Sequence, residues 1–420
     1  MKRYDEYKDS GVEWIGEVPS HWKPCRFKDF MKLSTTASDS IHKIGLENIE
    51  SATGRFIQTN TEFEGNGVEF KKDSIVYGKL RPYLQKVWLA EFEGNAVGDF
   101  FVFNAKSNSC PLYIKYLMLS DGFTKEADGS TFGAKMPRVS SDFILTLHFC
   151  LPPIMEQMCI ANYLDKKCSE IDNVISAQQK RIALLQELKQ SVITHAVTKG
   201  LDPNVEMKDS GVEWIGKIPA SWDVVHLKRI LRERMQYGAN EPAESDDTTY
   251  PRYIRITDIT ANGELRPETF KSLEPSKAKD YLLDKGDVLF ARSGATVGKT
   301  FLFNADIKAC YAGYLIKASC DKRIMLPEYL YYYTQSGAYE CWKNSVFIQS
   351  TIQNIGADKY QMMYIPVPSK DEQKQIVEYT MRKSQIFDSS ISKAQHQVEL
   401  LQEYKQSLIT EVVTGKRKVS

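Results

Sequence analysis

The chain reads as a duplicated α+β protein: two mixed α/β globules, each followed by a long helix, with the helices pairing antiparallel as a coiled coil. Three observations lead there. The nine-residue segment Lys8-Asp-Ser-Gly-Val-Glu-Trp-Ile-Gly16 recurs unchanged at 208–216. Apolar or small residues return at seven-residue intervals through 164–196, and adding 216 to each number finds the pattern again. Strand-like alternation and turn residues fill the stretch before each heptad run. Nine consecutive identities at an offset of 200 mark an internal repeat, and growth of the offset to 216 makes the second globule 16 residues longer. The resulting boundaries are globule one at 1–151, helix one at 152–200, globule two at 201–365 and helix two at 366–420.

In globule one, alternation predicts strands at 74–77, 86–90 and 100–103 and a helix at 111–120. Globule two echoes these at 287–291, 300–303 and 312–316, with a helix at 327–336. The stretch 236–251, with four acidic residues and two prolines, reads as a loop. Each globule closes on an apolar strand running into prolines, at 145–153 and 362–368.

Helix one then begins. Its seam is Leu164, Cys168, Ile171, Ile175, Gln178, Ile182, Leu185, Lys189, Val192 and Ala196. In helix two the seam is Thr380, Ser384, Phe387, Ile391, Ala394, Val398, Leu401, Lys405, Leu408 and Val412. Both seams break at a lysine, Lys189 and Lys405. Glu156 and Glu372 in the first turns suit the positive end of a helix dipole, and Gly200 and Gly415 stand where helices stop. Rods spanning roughly 156–199 and 372–413 are on the order of 60–65 Å long at 1.5 Å per residue. Antiparallel pairing places the globules at opposite ends of the rod with approximate twofold symmetry. Such an arrangement suits two DNA half-sites across a fixed gap. A coiled coil that only joins two domains is the plainer alternative.

Composition excludes little. Hydrophobic residues are 42% and charged residues 26%, ordinary for a globular protein, and the formal charge of +1 advertises no nucleic-acid partner. A DNA-binding surface therefore has to be local. The eight cysteines form no Cys-x-x-Cys pair and no zinc spacing, which reads as neutral thiols in a reducing cytosol. The charged N-terminus is no signal peptide and no run of about 18 apolar residues occurs, so a cytoplasmic location is expected.

Four segments, each present twice, resemble the specificity subunit of type I restriction–modification systems. They are the Gly-Val-Glu-Trp-Ile-Gly…Pro…Trp opening and the Pro-x-x-x-Glu-Gln lead-in at Pro152/Glu156/Gln157 and Pro368/Glu372/Gln373. With them come the strand–loop stretches 73–83 and 286–294 and the helix ends Thr194/Thr198 and Thr410/Thr414. The likeness runs the length of the chain. It implies two target recognition domains, each reading one half of a split DNA sequence, with the helices setting the unread gap. It further implies docking of two copies of a DNA adenine methyltransferase subunit, which binds S-adenosylmethionine, and optionally motor-endonuclease subunits. It implies no catalytic activity and no cofactor in this chain. The rival reading is a coiled-coil protein–protein scaffold that never meets DNA.

No catalytic motif survives inspection. Ser293-Gly-Ala-Thr-Val-Gly-Lys-Thr300 approximates a phosphate-binding loop, but Ser293 replaces the leading glycine and Phe301-Leu302-Phe303 reads as strand where a helix is required. Leu151-Pro-Pro-Ile154 lacks the flanking groups with which adenine methyltransferases hold a base. Glu-x-Lys occurs at 69–71, 6–8 and 403–405, too often to signal a nuclease.

Candidate DNA contacts are therefore loop residues. In globule one they are Lys79, Arg81, Tyr83 and Lys86, then Lys135 and Arg138. In globule two they are Arg292, Ser293, Thr296 and Lys299, then Gln349, Thr351, Gln353 and Asn354. Cations suit phosphates, and forked or amide side chains suit base edges. The repeated Gly/Trp segments, identical in both globules, cannot distinguish two different sequences and are assigned to packing or subunit contacts. The coiled-coil interface is assigned to Leu164, Ile171, Ile175, Ile182, Leu185, Val192, Phe387, Ile391, Val398, Leu401, Leu408 and Val412.

Overall fold

A computed structural model of the chain describes residues 3–38, 42–133, 135–260, 263–348 and 354–419. Contacts divide the chain into two units, 1–179 with 396–420, and 180–395.

In the first unit a four-stranded antiparallel sheet has the order Met31–Ser34, Phe100–Ala105, Ile75–Gly78, Val87–Leu89. Ile75–Gly78 is buried at every position, so it reads as a continuous apolar run rather than an alternation. A smaller sheet pairs Gly94–Ala96 parallel to Lys43–Ile44 and antiparallel to Gly67–Phe70. The helix Pro111–Met118 covers the main sheet, with proline in its first turn, where the missing N–H is not needed.

The second unit repeats this plan. Its main sheet runs Gln236–Tyr237, Leu315–Ala318, Val288–Ala291, Thr300–Leu302, and Arg252–Ile254 pairs parallel to Ala309–Tyr311. Pro327–Tyr333 is its covering helix. The strand expected at 312–316 starts later, at Leu315, because residues 312–314 turn back under Gly238 and Ala239. Within the expected loop 236–251, Gln236 and Tyr237 form an edge strand.

The long helices are Ile154–Lys199 and Lys370–Val413, each two residues longer at its start than expected. In the first unit, Ile160, Leu164, Ile171 and Ile175 share a core with Leu408 and Val412, and Val398 and Leu401 pack against it. The helices are antiparallel: Asp172 pairs with Lys405 in the first unit and Lys189 with Asp388 in the second, so higher numbers on one rod meet lower numbers on the other. All twelve seam residues are buried or half-buried, with Ile182, Leu185, Val192, Phe387, Val398 and Leu401 half-buried. The lysines that interrupt the heptads thus sit opposite aspartates, and the two pairs correspond at an offset of 216.

The repeated sequence words hold these helices. Trp22, fully buried, donates from Nε1 to Glu156 Oε1 (3.2 Å), and Trp222 does the same to Glu372 (3.1 Å). Gln157 accepts the Cys110 N–H (2.9 Å) and Gln373 that of Leu326 (2.8 Å), each tying the long helix to the start of its covering helix. Glu-Gln after the prolines is therefore a socket, in addition to its favourable placement against the helix dipole. The helix ends are held in matching fashion. Tyr113 donates to the Val413 carbonyl and Tyr329 to that of Val197, both at 3.0 Å. Thr410 Oγ1 accepts the Asp121 N–H, and Thr194 Oγ1 that of Gly337. Gly415 and Gly200 have φ of 74° and 78°, beside Pro19/Trp22 and Pro219/Trp222 respectively. A left-handed residue after a helix is glycine because any Cβ strains there.

Candidate nucleic-acid interface

In both units the central strand of the main sheet ends on a cation held in the same backbone frame. In the first unit Lys79 follows Ile75–Gly78. Its N–H donates to the Asp99 carbonyl (2.9 Å), and its own carbonyl accepts from Val139 N–H (3.1 Å). In the second unit Arg292 follows Val288–Ala291, donates to the Tyr314 carbonyl (3.0 Å) and accepts from Ile355 N–H (2.9 Å). Asp99 and Tyr314 each stand one residue before the neighbouring strand, so Lys79 and Arg292 occupy one position of the duplicated fold.

The side chains at that position differ. Lys79 lies 3.7 Å from Asp99, which also takes Arg138 in a two-pronged contact at 3.1 and 2.9 Å. Hydrogen bonding from Arg138 holds the Asp99 carboxyl below the usual range, with Lys79 adding to the effect. Arg292 instead lies over the Tyr237 ring, 4.9 Å from its centre, and its Nε is buried with no hydrogen-bond partner among the described residues. Tyr237 is itself fixed, its hydroxyl accepting the Ala357 N–H at 3.0 Å. A guanidinium stacked on a ring, with no carboxylate partner among the described residues, keeps its fork for another acceptor, the chemistry that matches O6 and N7 of guanine.

Around Lys79 the loops 79–85 and 131–138 form one surface. Arg81 N–H donates to the Pro137 carbonyl (2.8 Å), and Phe132 and Arg138 exchange both backbone bonds at 3.1 Å. Arg81 and Gln85 are held at φ of 52° and 50°. Left-handed conformations cost about 1–2 kcal/mol at such residues, so the surrounding bonds impose them. Arg81, Tyr83 and Lys135 are exposed, and Phe132 projects with 62% of its surface open.

Lys86 is a correction. Its amine donates to the Leu46 and Ile49 carbonyls at 2.7 Å each, and burial lowers its pKa. It braces a turn and does not extend toward a phosphate. Arg138 keeps a half-exposed guanidinium whose fork is largely occupied by Asp99. In the second unit Ser293 bridges to Asn354, whose Oδ1 is buried without a partner among the described residues, while Thr296 is half-buried and Lys299 exposed. Gln349, Thr351 and Gln353 lie outside the described residues. The stretch 293–300 joins the antiparallel strands Val288–Ala291 and Thr300–Leu302, so it is a hairpin connection with no helix after it.

Sequence reasoning missed Asp99, Tyr237 and Tyr314, the groups that orient the two cations. Following the duplication residue by residue through the strands would have aligned Asp99 with Tyr314. Nothing local marks Tyr237, which reaches Arg292 across the sheet. Among the described residues no group of His, Cys, Asp and Glu is placed to hold a metal ion, and no helix is long and apolar enough to cross a membrane. All eight cysteines are free thiols.

Comparison with known proteins shows what the chain is similar to. Residues 219–397 match the type I restriction modification DNA specificity domain. The type I restriction enzyme MjaVIII specificity subunit of Methanocaldococcus jannaschii is 23% identical over 425 residues, covering 96% of this chain and 94% of the relative. The EcoDI specificity subunit of Escherichia coli is 26% identical over 43% of each chain. A solved chain from a study of assembly and conformational transition of the type I R-M system has the same fold, with a TM-score of 0.71 at 17% identity over 94% of this chain and 98% of that one. The chain is thus similar to type I restriction enzyme specificity subunits over nearly its whole length, and its second globule matches their DNA specificity domain.

Proposed function

We propose that this chain is the DNA-reading, non-catalytic subunit of a type I restriction–modification complex, each globule reading one half of a bipartite site. The observation that carries the reading is the contrast inside the duplication. The Trp–Glu and Gln bonds of the sockets and the Tyr and Thr bonds at the helix ends repeat, whereas the position after the central strand is Lys79 beside Asp99 in one unit and Arg292 over Tyr237 in the other. A scaffold has no need for two different cations in one frame; a reader of two different half-sites does.

In this reading the paired helices set the unread gap and dock two copies of a DNA adenine methyltransferase subunit, which binds S-adenosylmethionine. Motor-endonuclease subunits join when cleavage is required, and the complex works in the cytoplasm. Apolar residues left exposed at equivalent places support a docking role for the helices: Leu184 and Leu188 in the second unit, Leu400 and Tyr404 in the first, all between 48% and 65% open. Each pair is four residues apart, on one helix face.

The test is exchange of residues 223–365 for those of a relative, read by methylation-aware sequencing. One half of the methylated site should change and the other stay. If both halves change, the modular reading is wrong.

A further inference from the structure

The duplication provides a control within the molecule for a site unrelated to DNA reading. In the first unit the Asp172 carboxylate takes two cations: Lys405 at 2.8 and 2.9 Å, and Arg55 at 2.9 Å. Arg55 arrives on a turn closed by Glu50 N–H on the Arg55 carbonyl (3.0 Å), with Gly54 at φ 68°. The second unit rebuilds that turn, with Thr260 N–H on the Glu264 carbonyl (2.8 Å) and Gly263 at φ 78°. Glu264 therefore stands where Arg55 stands. Asp388, the counterpart of Asp172, keeps Lys189 at 2.6 and 2.8 Å, and no second cation reaches it among the described residues.

Where the second cation belongs, the second unit has an open cleft of about 860 Å³. Thr260, Tyr331, Gln190, Gln335, Ser384 and Asp388 line it. Tyr331 stands at the position of Lys115, whose side chain lies against the Gly54 turn in the first unit, so a second cation beside that turn is also lost. Ser384 is 8% exposed and its Oγ makes no hydrogen bond among the described residues. Its counterpart is Cys168, a thiol that needs none. A buried hydroxyl without a partner costs about 1–3 kcal/mol unless something in the cleft satisfies it. Glu187, also on the wall, adds negative charge to the cleft.

We propose that this cleft binds a guanidinium group, an arginine side chain presented by a partner polypeptide, which pairs with Asp388 as Arg55 pairs with Asp172. Lys189 already occupies one side of both Asp388 oxygens. A planar fork can use the remaining lone pairs, stack on the Tyr331 ring and donate its other N–H groups to glutamine carbonyls and Ser384 Oγ. A polypeptide is the fitting source because the template, Arg55, is delivered by a chain turn and the cleft far exceeds one guanidinium in volume.

The full chain is titrated at low salt with N-acetyl-argininamide and, in parallel, with N-acetyl-citrullinamide, a shape match with no charge, using saturation-transfer NMR. Saturable transfer to the arginine compound alone is expected. It should vanish in Glu264→Arg, which supplies the guanidinium from the chain itself, and in Asp388→Asn, which carries the test should the first variant not fold. Equal signals from both compounds, or an undiminished signal in a folded variant, overturn the proposal. A capped Gly-Arg-Phe peptide, the sequence at 54–56, should bind about tenfold more tightly than the single residue. Equal affinity would limit the site to small cations and sink the polypeptide assignment.

Discussion

Replacing Lys405 by methionine should unsettle the first unit far more than Lys189→Met unsettles the second, although the two lysines are equivalent. Lys405 and Asp172 are 9% and 11% exposed, whereas Lys189 and Asp388 are 28% and 34% exposed. Methionine keeps the apolar stem, so the loss is chiefly the charge. Leaving a buried carboxylate without its partner costs 3–5 kcal/mol, and Arg55, still at 2.9 Å, brings the expected cost to about 3 kcal/mol. In the more open pair, solvent screens the interaction and the cost is about 1 kcal/mol or less. The chain has two units, so one melting temperature is the wrong measurement. Native-state hydrogen exchange, read for amides of 160–175 and 190–198 separately, gives each unit its own free energy. Adding Asp172→Leu to Lys405→Met should recover most of the loss, because an apolar pair of similar size replaces a buried ion pair at little cost. Equal costs at the two lysines, or a double variant worse than the single, would refute the reasoning.

Other expectations follow from named geometry. Gly415→Ala should be clearly destabilising and Gly200→Ala milder: a Cβ at 415 would meet Pro19 Cδ at 2.3 Å, whereas at 200 the nearest atom is 3.4 Å away, both with the left-handed penalty of about 1–2 kcal/mol. Exchange protection at each helix end measures the difference. Because Asp99 has a lowered pKa in the folded state, its stabilisation is complete above the ordinary carboxylate range near pH 4 and is lost as pH falls through the lowered value. Loops 79–85 and 131–138 should therefore loosen in acid, and Asp99→Asn should remove that dependence in an exchange–pH series. Arg292→Lys should relax one base of the second half-site, worth about 1–3 kcal/mol of discrimination, and leave the first half-site alone, as read in the methylated motif.

The architecture was legible because duplication turns a weak periodic signal into a repeated one. A heptad run with cysteine, glutamine and lysine in its seam would be doubtful alone; its copy 216 residues on removes the doubt. The breaks at Lys189 and Lys405 were visible, but their meaning was not, since Asp172 and Asp388 lie off the heptad positions and across the pair. The Glu-Gln signature could be placed in a first turn from the dipole argument, whereas its bonds to Trp22 and Cys110 depend on contacts more than forty residues apart. The binding loops were least legible. Lys86 looks like Lys79 in the sequence, and only the position of two carbonyls separates a brace from a candidate contact.

Trp22 touches the start of one rod through Glu156 and the end of the other beside Gly415, and Trp222 does likewise. Within each unit, sliding one helix along the other by even a turn would have to break that latch. Helix register inside each unit is thereby insulated from the loops beyond the sheet, which can drift in composition through many generations of change while the joint beneath them holds.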